Sequence, residues 1–241
     1  MLKLPPGRDR PHHPLVADAV ELLGGTPGDT RRRPVGALRG VLPLQFSRRV
    51  SRLDRVVDAR FARLRGNPPA DRLFYSASAL GDFSLIWHMA GVARALRSSR
   101  HEQEALRLST ALVLDSIVVN AGVKSLFRRT RPLREEHRHL HLRRPRSSSF
   151  PSGHASSAFM AASMLSSGAP LWNRRQAADP SQPYARTGWA GPLGWYALAT
   201  VVAASRVHVG IHHASDVVVG ALMGTVFGRL ARRLWPLGPG P

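Results

Sequence analysis

Apolar and polar positions alternate in blocks along this chain. Five long stretches carry almost no charge: Ser76–Leu96, Leu106–Phe127, Ala155–Trp172, Trp189–Ser205 and Asp216–Trp235. Each approaches the roughly 20 residues that a helix needs to cross a bilayer, and small residues are frequent in them, as helix interfaces within membranes favour. The pattern predicts an all-α, integral-membrane helical bundle of about five transmembrane helices; a soluble bundle is the competing reading. Ahead of these, residues 47–65 place Val50, Leu53, Val56, Val57, Phe61 and Leu64 at helical spacing, with Arg and Asp on the opposite face. Such a helix either lies on a membrane surface or packs on the protein's own core. Asn67-Pro68-Pro69 is expected to end it.

The first 46 residues read as a largely disordered, basic region rich in Pro, Gly and Arg. Within it Leu15–Leu23 could form one short helix, and there is no secretory-signal pattern at its start. The expected organisation is therefore 1–46 disordered, 47–75 amphipathic and 76–235 membrane-embedded.

Composition adds a strong positive bias. The 241 residues hold 35 Lys+Arg against 15 Asp+Glu, a formal net charge of +20. Such a balance points to nucleic acid, anionic headgroups or phosphorylated substrates. Nearly every cation is Arg, only Lys3 and Lys124 being Lys, so coding bias weakens the general argument and singles out Lys124, inside an apolar run. With no Cys, disulfides and thiolate metal sites are excluded.

Three stretches carry candidate chemistry. Lys124 and Arg131 stand seven apart, on one helix face until Pro132 stops the helix. Two cations there can grip one tetrahedral dianion, Arg as a planar fork and Lys as a point charge. Arg128 and Arg129 read as a snorkelling basic flank. Pro151-Ser152-Gly153-His154 opens the third apolar stretch, where helix-start N–H groups and the dipole favour an anion beside His154; ordinary capping by Ser152 is the alternative. Finally, Ser205-Arg206 is followed by His212 and Asp216, four apart, which a helix would put on one face.

Together these form Lys124-x6-Arg131-Pro132, Pro151-Ser152-Gly153-His154 and Ser205-Arg206-x5-His212-x3-Asp216. The pattern closely resembles the three-part signature of the type 2 phosphatidic acid phosphatases, within the superfamily that includes vanadium haloperoxidases. The resemblance covers roughly residues 75–235. It implies an acid phosphatase/vanadium-dependent haloperoxidase-like fold and a lipid phosphate phosphatase. His212 would be the nucleophile forming a phosphohistidine and Asp216 the carboxylate that orients it. His154 would be the acid, then the base, and Lys124, Arg131, Ser152, Gly153 and Arg206 the phosphate cradle.

Physical chemistry supports the same division. Phosphoryl transfer asks mostly for positioning and for charge stabilisation, which three cations and N–H donors supply. No cofactor and no metal is expected, since no carboxylate cluster suits Mg²⁺. Expected partners are a lipid phosphate, such as phosphatidic acid or a polyprenyl-linked phosphate or pyrophosphate, and the bilayer; no nucleic acid is expected. A vanadate-dependent haloperoxidase, or a non-enzymatic basic protein binding anionic lipid, is the alternative. His208 and His213 read as structural or solvent-facing, the His137, His139, His141 loop as solvated, and Asp82 and Asp115 as span carboxylates and so functional candidates, Asp115, on the face opposite Lys124, being expected to make a polar contact between helices.

Antiparallel threading would bring Lys124, Arg131, His154, Arg206 and His212 to one membrane side. Many family members resemble a six-span plan with the site facing outward. Five spans and an Arg-rich 128–153 connection instead favour a site on the cytoplasmic side of the plasma membrane.

Overall fold

The computed structural model describes residues 42–43, 47–96, 99–132, 147–166 and 190–237. The short helix expected at 15–23, the histidine-bearing stretch 137–141 and nearly all of the region 1–46 lie outside them, as does residues 172–188.

Helix α1 (Arg48–Ala62) begins where Ser47 Oγ accepts the Val50 N–H, 3.4 Å. Its pattern places Asp54 against the protein, buried, while Leu53 and Val56 remain exposed. Asn67-Pro68-Pro69 opens the next helix rather than ending this one. Asn67 Oδ1 accepts the Ala70 N–H and the prolines occupy the first helical positions of α2 (Pro68–Leu80), where a missing N–H costs nothing.

The expected straight span Ser76–Leu96 is broken. After Gly81 a 3₁₀ turn (Asp82–Ser84) carries Phe83 and Ser84 at φ 53° and 59°, and α3 (Leu85–Ala95) resumes beyond it. Gly81 sits at the break because a Cβ there would lie 2.8 Å from His154 Cδ2. The turn thus lets the backbone pass tightly against that imidazole. Helix α4 (Ser99–Ser116) returns along α3, with Gly91 admitting Leu108 and Ala105, and Trp87 is fully buried between the elements.

From α4 the chain runs into a π-helical segment (Ile117–Val123) and one helical turn (Lys124–Leu126). It then turns extended: β2 (Phe127–Arg128) pairs in parallel with β1 (Leu42–Pro43). Arg131 is therefore not on the helix face of Lys124, contrary to expectation. The π segment also changes the facing of Asp115. With its i→i+5 bonding it winds more slowly than an α-helix, so nine positions no longer amount to a half-turn offset, and Asp115 and Lys124 lie within electrostatic reach of each other.

Helix α5 (Gly153–Leu165) is the centre of the bundle. Uncharged and built from Ala, Ser, Met and Phe, it is buried almost throughout. Helices α6 (Ala190–His208) and α7 (Ala214–Leu234) pack on it. Gly220, Gly224 and Gly228 of α7 lie in order along Ser152, Ser156 and Met160 of α5, so the two helices run parallel with their N-termini together. A Cβ at Gly220 or Gly224 would collide with the Ser152 or Ser156 carbonyl, and one at Gly228 would stand 2.9 Å from the Met160 carbonyl. On the outer side of α7, Val218, Leu222 and Val226 are exposed. Glycine inward and large aliphatics outward is the arrangement of a helix that meets lipid rather than water.

Among the described residues, His101–Leu126 and Ala214–Leu234 are long and apolar enough to cross a membrane. The architecture is predominantly helical, as expected, apart from the two-residue strands.

Candidate active site

Four helix ends converge. Lys124 lies at the end of α4's continuation, His154 in the first turn of α5, Arg206 in the last turn of α6 and Asp216 in the first turn of α7. Ser152 N donates to the Asp216 carbonyl, 3.0 Å, fastening the two parallel helix starts to each other. Both positive dipole ends therefore point to one place, which favours an anion there.

The α6–α7 connection is a tight turn. Ile211 N and His212 N both donate to the Arg206 carbonyl at 3.2 Å, and Gly210 takes φ 68°. His212 consequently precedes α7 instead of riding its face, as the four-residue spacing had implied. His213 is the N-cap. Its backbone N–H donates to Asp216 Oδ2 at 2.9 Å in a capping box. Asp216 Oδ2 also stands 3.6 Å from His212 Nδ1, so Asp216 both caps the helix and faces the imidazole.

Arg131 ties the first and third stretches together. Its Nη1 lies 2.9 Å from the Ile211 carbonyl and 3.2 Å from His212 Nε2; its Nη2 donates to the Ser148 carbonyl, 3.0 Å. Because arginine only donates, Nε2 accepts, and the ring hydrogen belongs on Nδ1, toward Asp216. Burial, with Arg131 and Arg206 nearby, holds the His212 pKa well below its ordinary 6.5 although Asp216 opposes the shift. Burial also lowers the Arg131 pKa, to about 10, which leaves it a cation at neutral pH.

Lys124 Nζ donates to Asn120 Oδ1, 2.7 Å, and that same oxygen lies 3.1 Å from where a Gly153 Cβ would stand. Lys124 is thereby set against the start of α5. Arg206, buried, donates to Ser78 Oγ. Lys124, Arg131 and Arg206 are close enough to repel one another, an arrangement that an anion between them would relieve. Ser152 Oγ caps α5 by accepting the Ala155 N–H, 3.4 Å. His154 Nε2 stands 3.0 Å from Asp82 Oδ1, out of line for a hydrogen bond, in the 3₁₀ turn beyond Gly81.

Two residues escaped the sequence reading. Arg129, read as a basic flank, is instead half of a bridge: Nη1 binds Asp216 Oδ1 and, at 2.8 Å, Ser215 Oγ, while Nη2 binds Asp54 Oδ2 at 2.7 Å. Asp54 also accepts from Ser215 N, 2.8 Å. Nothing in the spacing announced it, since Asp54 looked like one more polar position of an amphipathic helix. Asp115 accepts from Ser156 Oγ, 2.6 Å, a polar contact between α4 and α5. His208 is buried, stacked on Phe74 with ring centroids 4.6 Å apart, its Nε2 2.7 Å from Asp71 Oδ1.

A family model described as the PAP2 superfamily matches residues 104–237. The crystal structure of Aquifex aeolicus LpxE superposes with a TM-score of 0.58 at 21% identity, covering 80% of this chain and 99% of that one. The first transmembrane PAP2 type phosphatidylglycerolphosphate phosphatase from Bacillus subtilis superposes with a TM-score of 0.50 at 20% identity, covering 78% and 87%.

Proposed function

The chain belongs to the PAP2 superfamily, matched over more than half its length; from that membership and the geometry above we propose a lipid phosphate phosphatase, a metal-independent phosphoric monoester hydrolase that works through a phosphohistidine. The contact between Arg131 and His212 Nε2 carries this reading. A phosphate oxygen gripped by Arg131 arrives with its phosphorus beside the nitrogen that holds the lone pair.

His212 Nε2 attacks phosphorus in line as the ester bond breaks, and His154 gives its proton to the departing lipid oxygen. His154 then takes a proton from water, which displaces His212 and releases inorganic phosphate. Asp216 faces Nδ1–H and stabilises the positive charge that His212 gains; the Asp82 carboxylate, 3.0 Å from His154 Nε2, favours the protonated form of that imidazole. Lys124, Arg131, Arg206, the Ser152 hydroxyl and the Gly153 end of α5 balance charge on the equatorial oxygens.

About five crossings are proposed for residues 76–235, with the 76–96 segment kinked at Gly81–Ser84, and α1 as a helix at the membrane surface. Exposed aliphatic side chains on α3, α4 and α7, among them Val92, Val113 and Leu222, support a bilayer around the bundle. The substrate is then a lipid with its phosphate at headgroup depth, such as phosphatidic acid or a polyprenyl-linked phosphate or pyrophosphate. The site is assigned to the cytoplasmic face of the plasma membrane.

The test is phosphate release by purified protein in detergent, with and without EDTA. Activity that resists EDTA, yields to vanadate and disappears in His212→Ala is expected; turnover that survives His212→Ala overturns the mechanism. For sidedness, a single Cys placed at exposed Arg128 in this cysteine-free chain should react with an impermeant thiol reagent only after cell lysis.

A further inference from the structure

α1 lies outside the matched family region and contributes nothing to the three-part pattern, yet it sends one buried carboxylate toward the site. On a helix whose other charges are mostly exposed arginines, Asp54 is buried and makes bonds to Ser215 N, Ser215 Oγ (2.9 Å) and Arg129. A buried acid is costly unless its charge is met and its lone pairs are filled. Here both conditions are satisfied by residues adjoining Asp216.

We infer that Asp54 and Arg129 are positioning residues of the hydrolysis: Asp54 anchors one arm of the Arg129 guanidinium so that the other arm fixes the Asp216 carboxylate against His212. An ionised carboxylate has about four acceptor sites. On Asp216, Oδ2 serves His213 N and faces His212, while Oδ1 meets Arg129. Without the guanidinium, Oδ1 would be buried and unmet, and the carboxylate would be free to turn. The planar fork matters as well as the charge, because a guanidinium reaches two separate carboxylates and a hydroxyl from two nitrogens held in one plane, whereas an ammonium must gather all three acceptors around a single atom. Their side-chain bonds run to each other, to Ser215 and to Asp216, so this chain of contacts reaches the site through Asp216 and His212.

The inference rests on the phosphatase reading for its kinetic effect, but it makes a claim about His212 that can be checked without turnover. Asp54→Asn, Arg129→Gln and Arg129→Lys are prepared as full chains in detergent. With phosphatidic acid in mixed micelles as probe, kcat should fall about 10- to 100-fold, by analogy with the loss of a partner that orients a metal-binding histidine from behind. KM should stay within about twofold, and Arg129→Lys should not rescue. The double variant Asp54→Asn/Arg129→Gln should be no slower than Arg129→Gln alone, since both remove one chain of contacts.

In parallel, NMR of ¹⁵N-histidine-labelled protein reads the His212 ring. The wild type should carry its hydrogen on Nδ1, and each variant should lose that single tautomer. Unchanged His212 signals overturn the inference whatever the substrate proves to be. Changed signals in the variants, together with a wild type that hydrolyses no lipid phosphate, sustain it and defeat the phosphatase reading. If Asp54→Asn fails to fold, Arg129→Lys, which keeps the charge, decides alone.

Discussion

Arg131 Nη1 approaches His212 Nε2 to 3.2 Å while Asp216 Oδ2 stands 3.6 Å from the other ring nitrogen. The imidazole is flanked on both sides, by a donor at the nitrogen with the lone pair and by a carboxylate facing, at longer range, the nitrogen with the hydrogen. Arg131→Lys should therefore impair binding and chemistry together. Lysine keeps a charge but cannot reach the Ile211 and Ser148 carbonyls and a phosphate simultaneously. A loss of kcat/KM of about 10-fold or more is expected for removing one such donor, checked by initial rates across substrate concentration.

His212 also sets a pH dependence of stability. Its folded pKa is depressed, so below about 6.5 the unfolded chain takes up a proton that the folded chain refuses. By linkage, its contribution is complete above that pH and is lost as pH falls. Wild type should accordingly lose stability against His212→Gln on acidification from pH 7.5 to 5.5. Thermal unfolding midpoints of the two proteins that fall in parallel would contradict this.

The α5–α7 seam tolerates no side chain. Gly224→Ala must displace the Ser156 carbonyl, and the expected destabilisation is at the upper end of the usual cost of overpacking, about 3 kcal/mol. Gly194→Ala, in a helix position where nothing lies within 4 Å, should be neutral or stabilising by about 0.5–1 kcal/mol. Differential scanning fluorimetry of both variants in one detergent makes the comparison.

Ser156→Ala separates architecture from chemistry. It leaves buried Asp115 without its 2.6 Å donor, which should cost about 1–3 kcal/mol. Catalysis at a temperature where the variant is folded should persist, as Ser156 lies a turn beyond the cradle. A large fall in kcat at full folding would draw Asp115 into the mechanism.

Much of the site could be read from spacing because its chemistry sits at helix ends that the apolar blocks delimit. The end of the second block delivered Lys124, the start of the third His154, and the end of the fourth Arg206. Periodicity failed where the backbone left the α-helix. The π segment before Lys124 reset which residues share a face, and the extended Phe127 detached Arg131 from the helix. The Gly81–Ser84 break was invisible because apolar residues flank it on both sides. Arg129 was misjudged for another reason: a guanidinium beside other arginines at a span end has the same sequence appearance whether it meets headgroups or a buried carboxylate.

The parallel contact of α5 and α7, backbone against backbone along Gly220, Gly224 and Gly228, has a mechanical consequence. His154 and Asp216 ride the adjoining tips of what behaves as a single two-stranded rod. Thickening, thinning or lateral pressure in the surrounding lipid can tilt that rod, but cannot slide one tip past the other without driving a carbonyl into a glycine. His154 and the carboxylate that faces His212 should thus keep their separation across membranes of different composition.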